Sequence, residues 1–156
     1  MEEARSILLD RFYGDFSLFL ILFILLIVIL LLLITFYIIR YRRVTSKYRI
    51  GIPIVAMLLV VFTFFFGQLV VKYYNDYIYL QENDPIYVKG SVIGYAHTVS
   101  HDDLTVTKSW PIVLLEETHT ELSLNIIDSD TILQIGEVYE FLYLPNTKNA
   151  EVIVNR

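Results

Sequence analysis

The chain has 156 residues, 56% of them hydrophobic, and a formal net charge of −5. That length leaves room for one modest folded unit beside any membrane spans and excludes two soluble domains. The chain has no cysteine, which rules out disulfide and thiolate chemistry, and its acidic balance argues against nucleic-acid binding.

The first fifteen residues carry Glu2, Glu3, Asp10 and Asp15 against Arg5 and Arg11, a net of −2, and read as a short N-terminal tail, 1–15. From Phe16 to Ile39 run 24 residues without a charge, with Ser17 and Thr35 the only polar side chains. At the rise of an α-helix they reach roughly 36 Å, more than the hydrocarbon core of about 30 Å. A cleaved signal peptide would need a basic start, a shorter apolar stretch and a small-residue cut site, and none of the three is present.

Residues 40–49 carry Arg40, Arg42, Arg43, Lys47 and Arg49 and no acid. A second uncharged run, Ile50 to Val71, is 22 residues long. It spans roughly 33 Å as a helix, so the chain is expected to be a hairpin of two transmembrane helices, 16–39 and 50–71. Short loops rich in Lys and Arg stay in the cytoplasm, so the five cations act as topology determinants and both termini fall outside. Tyr13, Tyr37, Tyr41, Tyr48, Tyr73 and Tyr74 flank the runs, where a half-buried ring with a wet hydroxyl favours the headgroup layer.

Within the second run, Gln68 and the pair Thr63 and Gly67 lie on neighbouring positions. Small residues four apart let helices approach closely, and an amide in lipid seeks a partner. The two spans are able to satisfy each other, or Phe62, Phe64, Phe65 and Phe66 pack on another membrane subunit.

Beyond the second run, Leu69, Tyr73, Tyr77 and Leu80 share one helical face, so the helix should continue as a stalk through 72–85 and stop at Asn83-Asp84-Pro85. From Ile86 the pattern changes to short runs of β-branched and aromatic residues divided by turns. Strands are expected near Ile86–Thr98, Leu104–Lys108, Pro111–Glu116, Glu121–Ile127, Glu137–Leu144 and Glu151–Val154, with Gly90 and Gly94 marking bends or bulges. Five or six strands in so few residues suit a small closed all-β barrel, OB-like or SH3-like, over 86–156, because closure removes exposed edges.

Lys89-Gly90-Ser91-Val92, Trp110-Pro111-Ile112-Val113, the stretch from Ile135-Gly136 through Tyr143-Leu144-Pro145-Asn146, and Ala150-Glu151-Val152 follow one another in order. In this the chain resembles a widespread bacterial family of unknown function, whose members have two spans and a small extracytoplasmic β-barrel. Their pattern is G-x-V, P-x-V, G-x-x-V-x-V-x-Y-x-P and a closing A-x-V; here Thr147 and Lys148 stand where a second proline is usual. The resemblance implies a fold and a topology at the cell membrane and no activity. The Ile, Asn and Tyr usage and the absence of an Asn-x-Ser/Thr sequon also lean bacterial.

Few residues suggest chemistry. His97, His101, Asp102 and Asp103 gather within seven positions, yet a strand and turn need not converge them, so a solvated turn is the plainer expectation than a metal site. Glu116, Glu117 and Glu121, with His119, form an acidic hairpin tip, either a soluble turn or a docking patch for a basic partner. Trp110 is by default barrel filler, and otherwise an exposed interface residue. No nucleophile elbow, phosphate loop or paired-carboxylate motif is present, and no cofactor or metal is expected.

Lys72 to Arg156 carries thirteen acids against five bases, a net of −8. The expected function is a non-enzymatic, membrane-anchored accessory or adaptor protein, seated in the lipid bilayer, whose outer domain binds another membrane or envelope protein. The alternative is an immunity-type inhibitor in which the acidic domain blocks an incoming basic toxin. A hydrolase or metal enzyme built on His97, His101 and Asp102 is a distant third.

Overall fold

The computed structural model describes residues 1–40, 46–100, 106–126 and 133–153, in two compact units. Asp15–Tyr74 form one, and Met1–Gly14 together with Asn75–Arg156 form the other.

Two helices dominate the chain, α1 over Glu2–Arg40 and α2 over Ser46–Glu82. Both are long and apolar enough to cross a membrane, and the most apolar stretch of α1 has no buried residue. A core helix of a soluble protein would be mostly buried; instead Leu32, Ile38, Met57 and Phe65 are largely exposed. Within the Asp15–Tyr74 unit the better-covered residues of α1 recur at alternating intervals of three and four, from Phe16 through Phe23 and Leu30 to Tyr37. Residues of α2 follow the same rhythm, from Ile52 through Leu59 and Phe66 to Tyr73. That is the spacing of a helix–helix seam. Along it Phe19 lies edge-on to Phe66, ring centroids 5.8 Å apart, and 5.1 Å from the ring of Tyr73.

The second unit contains the β-structure: β1 Ile86–Ser100, β2 Val106–Leu115, β3 Glu121–Ser123, β4 Asn125–Ile126, β5 Val138–Tyr143 and β6 Asn149–Val152. Their order in the sheet is β3-β2-β1-β5-β6-β4, antiparallel throughout except for the parallel pair of β4 and β6. This corrects the expected closed barrel to an open six-stranded mixed sheet. The run expected as one strand from Glu121 breaks at Leu124, whose side chain is fully buried and whose N–H donates to the carbonyl of Pro111. Its two halves therefore pair at opposite ends of the sheet, and Ile127 lies outside the described residues. The two strands expected either side of Ser109 are a single β2, continuous through Trp110 at φ 65°.

Alternation puts Phe141, Tyr139 and Tyr143 of β5 on the inner face, opposite Val88, Gly90 and Ile86 of β1. Phe141 is fully buried with Val92, Val113, Leu124 and Ala150. The register shifts between Val92 and Gly94, and the extra residue, Ile93, reverses the inward parity so that Tyr95 also packs on the core. Gly90 has another role than the expected bend: a Cβ there would lie 2.5 Å from the Leu114 carbonyl oxygen and 2.6 Å from Val113 Cγ1. Gly90→Ala is therefore expected to force strands β1 and β2 apart and lower stability by about 2 kcal/mol, read from urea unfolding.

Tyr95 donates its hydroxyl to the Leu133 carbonyl. Burial raises its pKa above the ordinary value of 10.0, with the neighbouring Tyr139 adding to the effect. Burial raises that of Tyr143 likewise. For both, the folded state holds its proton at a pH where the unfolded chain has released it. Stability is thus complete below pH 10 and falls as pH rises through the folded-state values. Thermal unfolding followed from pH 8 to 11 should show a loss beginning near pH 10, reduced in a Tyr95→Phe variant.

Candidate functional site

Asp76 lies on α2 six residues before the helix ends at Glu82, on the same buried stripe as Tyr73. Its carboxylate is fully buried and accepts four hydrogen bonds from one turn, Pro145 to Lys148, between β5 and β6. Oδ1 takes the backbone N–H of Asn146 at 2.9 Å and the Asn146 amide at 2.8 Å. Oδ2 takes the backbone N–H of Thr147 at 2.7 Å and the Thr147 hydroxyl at 2.6 Å. Successive N–H groups converging on one anion make a backbone nest, here filled by the chain's own carboxylate.

The turn suits this role because Lys148 adopts φ 62°, which lets its N–H return to the Leu144 carbonyl while Leu144 donates to that of Asn149. Lys148 Nζ stands 5.3 Å from the centre of the Tyr143 ring. Buried Asn149 accepts from the Asn125 amide at 2.8 Å, so the same corner also secures β4.

The first fourteen residues belong to this unit. Ala4, Leu8 and Phe12, spaced four apart on one helical face, are buried, the last two completely. Tyr13 meets the ring of Tyr77 edge-on at 6.4 Å, and Arg5 pairs with Asp84. Residues 1–14 are therefore not the tail that their charges suggest, and nothing in the charge pattern points to the clamp on Asp76. Two signals were available: an apolar stripe ahead of the first uncharged run, and a lone carboxylate on the tyrosine face of the stalk.

Of the residues singled out from sequence, Trp110 is not core filler: it is 47% exposed and sits at φ 65°, a region costly for a large side chain. Ile93 and Val138 are also exposed. Glu116 and Glu117 are exposed on the β2–β3 turn and Glu121 is exposed where β3 begins; the turn is closed by Leu115 N–H to the Thr120 carbonyl and by a Thr118–Thr120 hydroxyl contact. Glu116 is paired with Lys89 at 3.1 Å, an interaction that raises the Lys89 pKa.

In α2, Gly67 lies against Phe23: a Cβ there would stand 3.2 Å from its ring, so this small residue serves the seam between the two helices. Thr63 spends its hydroxyl on the Leu59 carbonyl at 2.7 Å. Phe66 is in the seam, whereas Phe62, Phe64 and Phe65 are exposed.

Among the described residues no group of three or more His, Asp or Glu could hold a metal ion. His101, Asp102 and Asp103 lie outside the described residues, as do the side chain of His97, Arg42, Arg43 and the side chains of Arg40, Lys47 and Arg49. Comparison with protein-family models, curated proteins and solved structures finds no match to this chain.

Proposed function

We propose that the chain crosses a membrane twice and works as a non-enzymatic accessory protein. Its sheet-bearing unit, on the non-cytoplasmic side, docks another membrane or envelope protein. Support for the anchoring comes from two helices of sufficient length whose apolar residues face outward. Support for an uncleaved first span comes from Leu8 and Phe12, which a processed chain would lose from the unit that contains the sheet. The cationic segment between the helices supports the orientation.

The observation that carries the docking role is Trp110, a large aromatic held exposed in the left-handed region within a strand. Such conformations persist where function retains them, and Trp is the residue most enriched at binding hot spots. The exposed Glu117 and Glu121 nearby in the chain favour a partner with basic character. A photoreactive residue at position 110, illuminated in cells, should yield one discrete crosslinked species. Trp110→Ala should lower recovery of that partner from gently solubilised membranes about tenfold or more. Absence of crosslinks from positions 93, 110 and 117 alike would remove the docking role while leaving the anchoring intact.

A further inference from the structure

Beside the helix seam runs an open groove of about 730 Å³, with walls that include Phe23, Leu30, Val60 and Phe64. Gln68 and Lys72 also line it, one above the other at i and i+4 on α2. Among the described residues the Gln68 side-chain amide has no hydrogen-bond partner and Lys72 no ion pair. The distance along α2 from Val60 to Lys72 is about 18 Å, close to half of a hydrocarbon core of about 30 Å. The groove is thus one leaflet deep, apolar for most of its length. Along α2 an amide side chain comes one turn below the rim and a cationic one at the rim where the uncharged run ends, both meeting the groove through their methylene stems.

That order of chemistry is the order along a phospholipid: acyl chain, ester carbonyl, phosphate. We propose that the groove is a binding site for one anionic phospholipid, a proposal that rests on the membrane-spanning reading above. The acyl chain lies against Phe23, Leu30, Val60 and Phe64, the Gln68 amide donates to an ester carbonyl, and Lys72 meets the phosphate. A second copy of the chain fits less well, because it would bring Lys72 against Lys72 at the same depth. The only carboxylate of the Asp15–Tyr74 unit is Asp15, which is not among the groove's walls.

The test is native mass spectrometry of the full chain released from nanodiscs made of equal parts phosphatidylglycerol and phosphatidylcholine. The wild-type chain should leave with one lipid, phosphatidylglycerol favoured about fivefold, the effect of a single cation near the membrane surface. Lys72→Gln should abolish the preference and Gln68→Leu should reduce retention of either lipid. Val60→Trp should displace both, and Lys89→Gln, outside the groove, should behave as wild type. An unchanged preference in Lys72→Gln, or a lipid-free pair of chains, would overturn the site. Failure of the wild-type chain to enter nanodiscs would overturn the spanning reading itself, whereas entry without lipid preference would overturn only the site.

Discussion

Replacing Asp76 with alanine is expected to destabilise the unit of Met1–Gly14 and Asn75–Arg156 by about 3 kcal/mol or more. Four donors would lose their acceptor at once, and two of them are backbone N–H groups that no rotamer change can redirect. Asp76→Asn should cost about 1–2 kcal/mol, because one oxygen still accepts while the new NH₂ faces donors. Thr147→Val removes one of the four bonds and keeps the shape. Combined with Asp76→Ala it should add almost nothing, since the two residues act as one unit. Urea unfolding in detergent, followed by the fluorescence of Trp110, the only tryptophan, reports on this unit directly. Additive losses in the double variant would show that the clamp is not a single element.

The second large effect is expected far from the sheet in sequence. Phe12→Ala should cost about 3–5 kcal/mol and Leu8→Ala about 2–5 kcal/mol, the range for emptying a fully buried position. A tail would tolerate both changes, as it would the removal of residues 1–14. The same unfolding measurement separates the two possibilities, with the exposed Ile7→Ala as the neutral control.

Of the two features, the four-residue spacing of Ala4, Leu8 and Phe12 is displayed by the sequence, whereas the clamp on Asp76 is not. The two long helices were legible because twenty or more consecutive apolar residues have few other uses, and the stop of α2 before Asn83-Asp84-Pro85 followed from turn chemistry. Strand positions were legible where β-branched and aromatic residues run between turn residues, as in Val138–Tyr143. The sheet's form was not. Whether it closes depends on what happens at Leu124, and the apolar–polar pattern from Leu122 to Ile126 runs through that residue without interruption. Trp110 was placed in the core by default because hydrophobicity carries no information about a positive φ. Asp76 was hidden for the opposite reason. A carboxylate in a helix ordinarily reads as solvent-facing, and its partners lie 70 and 71 positions away in a turn that looks self-sufficient.

The proposed topology is a hairpin in the membrane with the N-terminal turns and the sheet on its non-cytoplasmic side. The chain has no native cysteine, so single cysteines at Glu3, Lys47 and Glu117 can be labelled one at a time with a membrane-impermeant maleimide in intact cells. The expected result is labelling at positions 3 and 117 from outside, and at position 47 only after the membrane is opened. Labelling of 3 and 117 from opposite sides, or of 117 only after lysis, would contradict it.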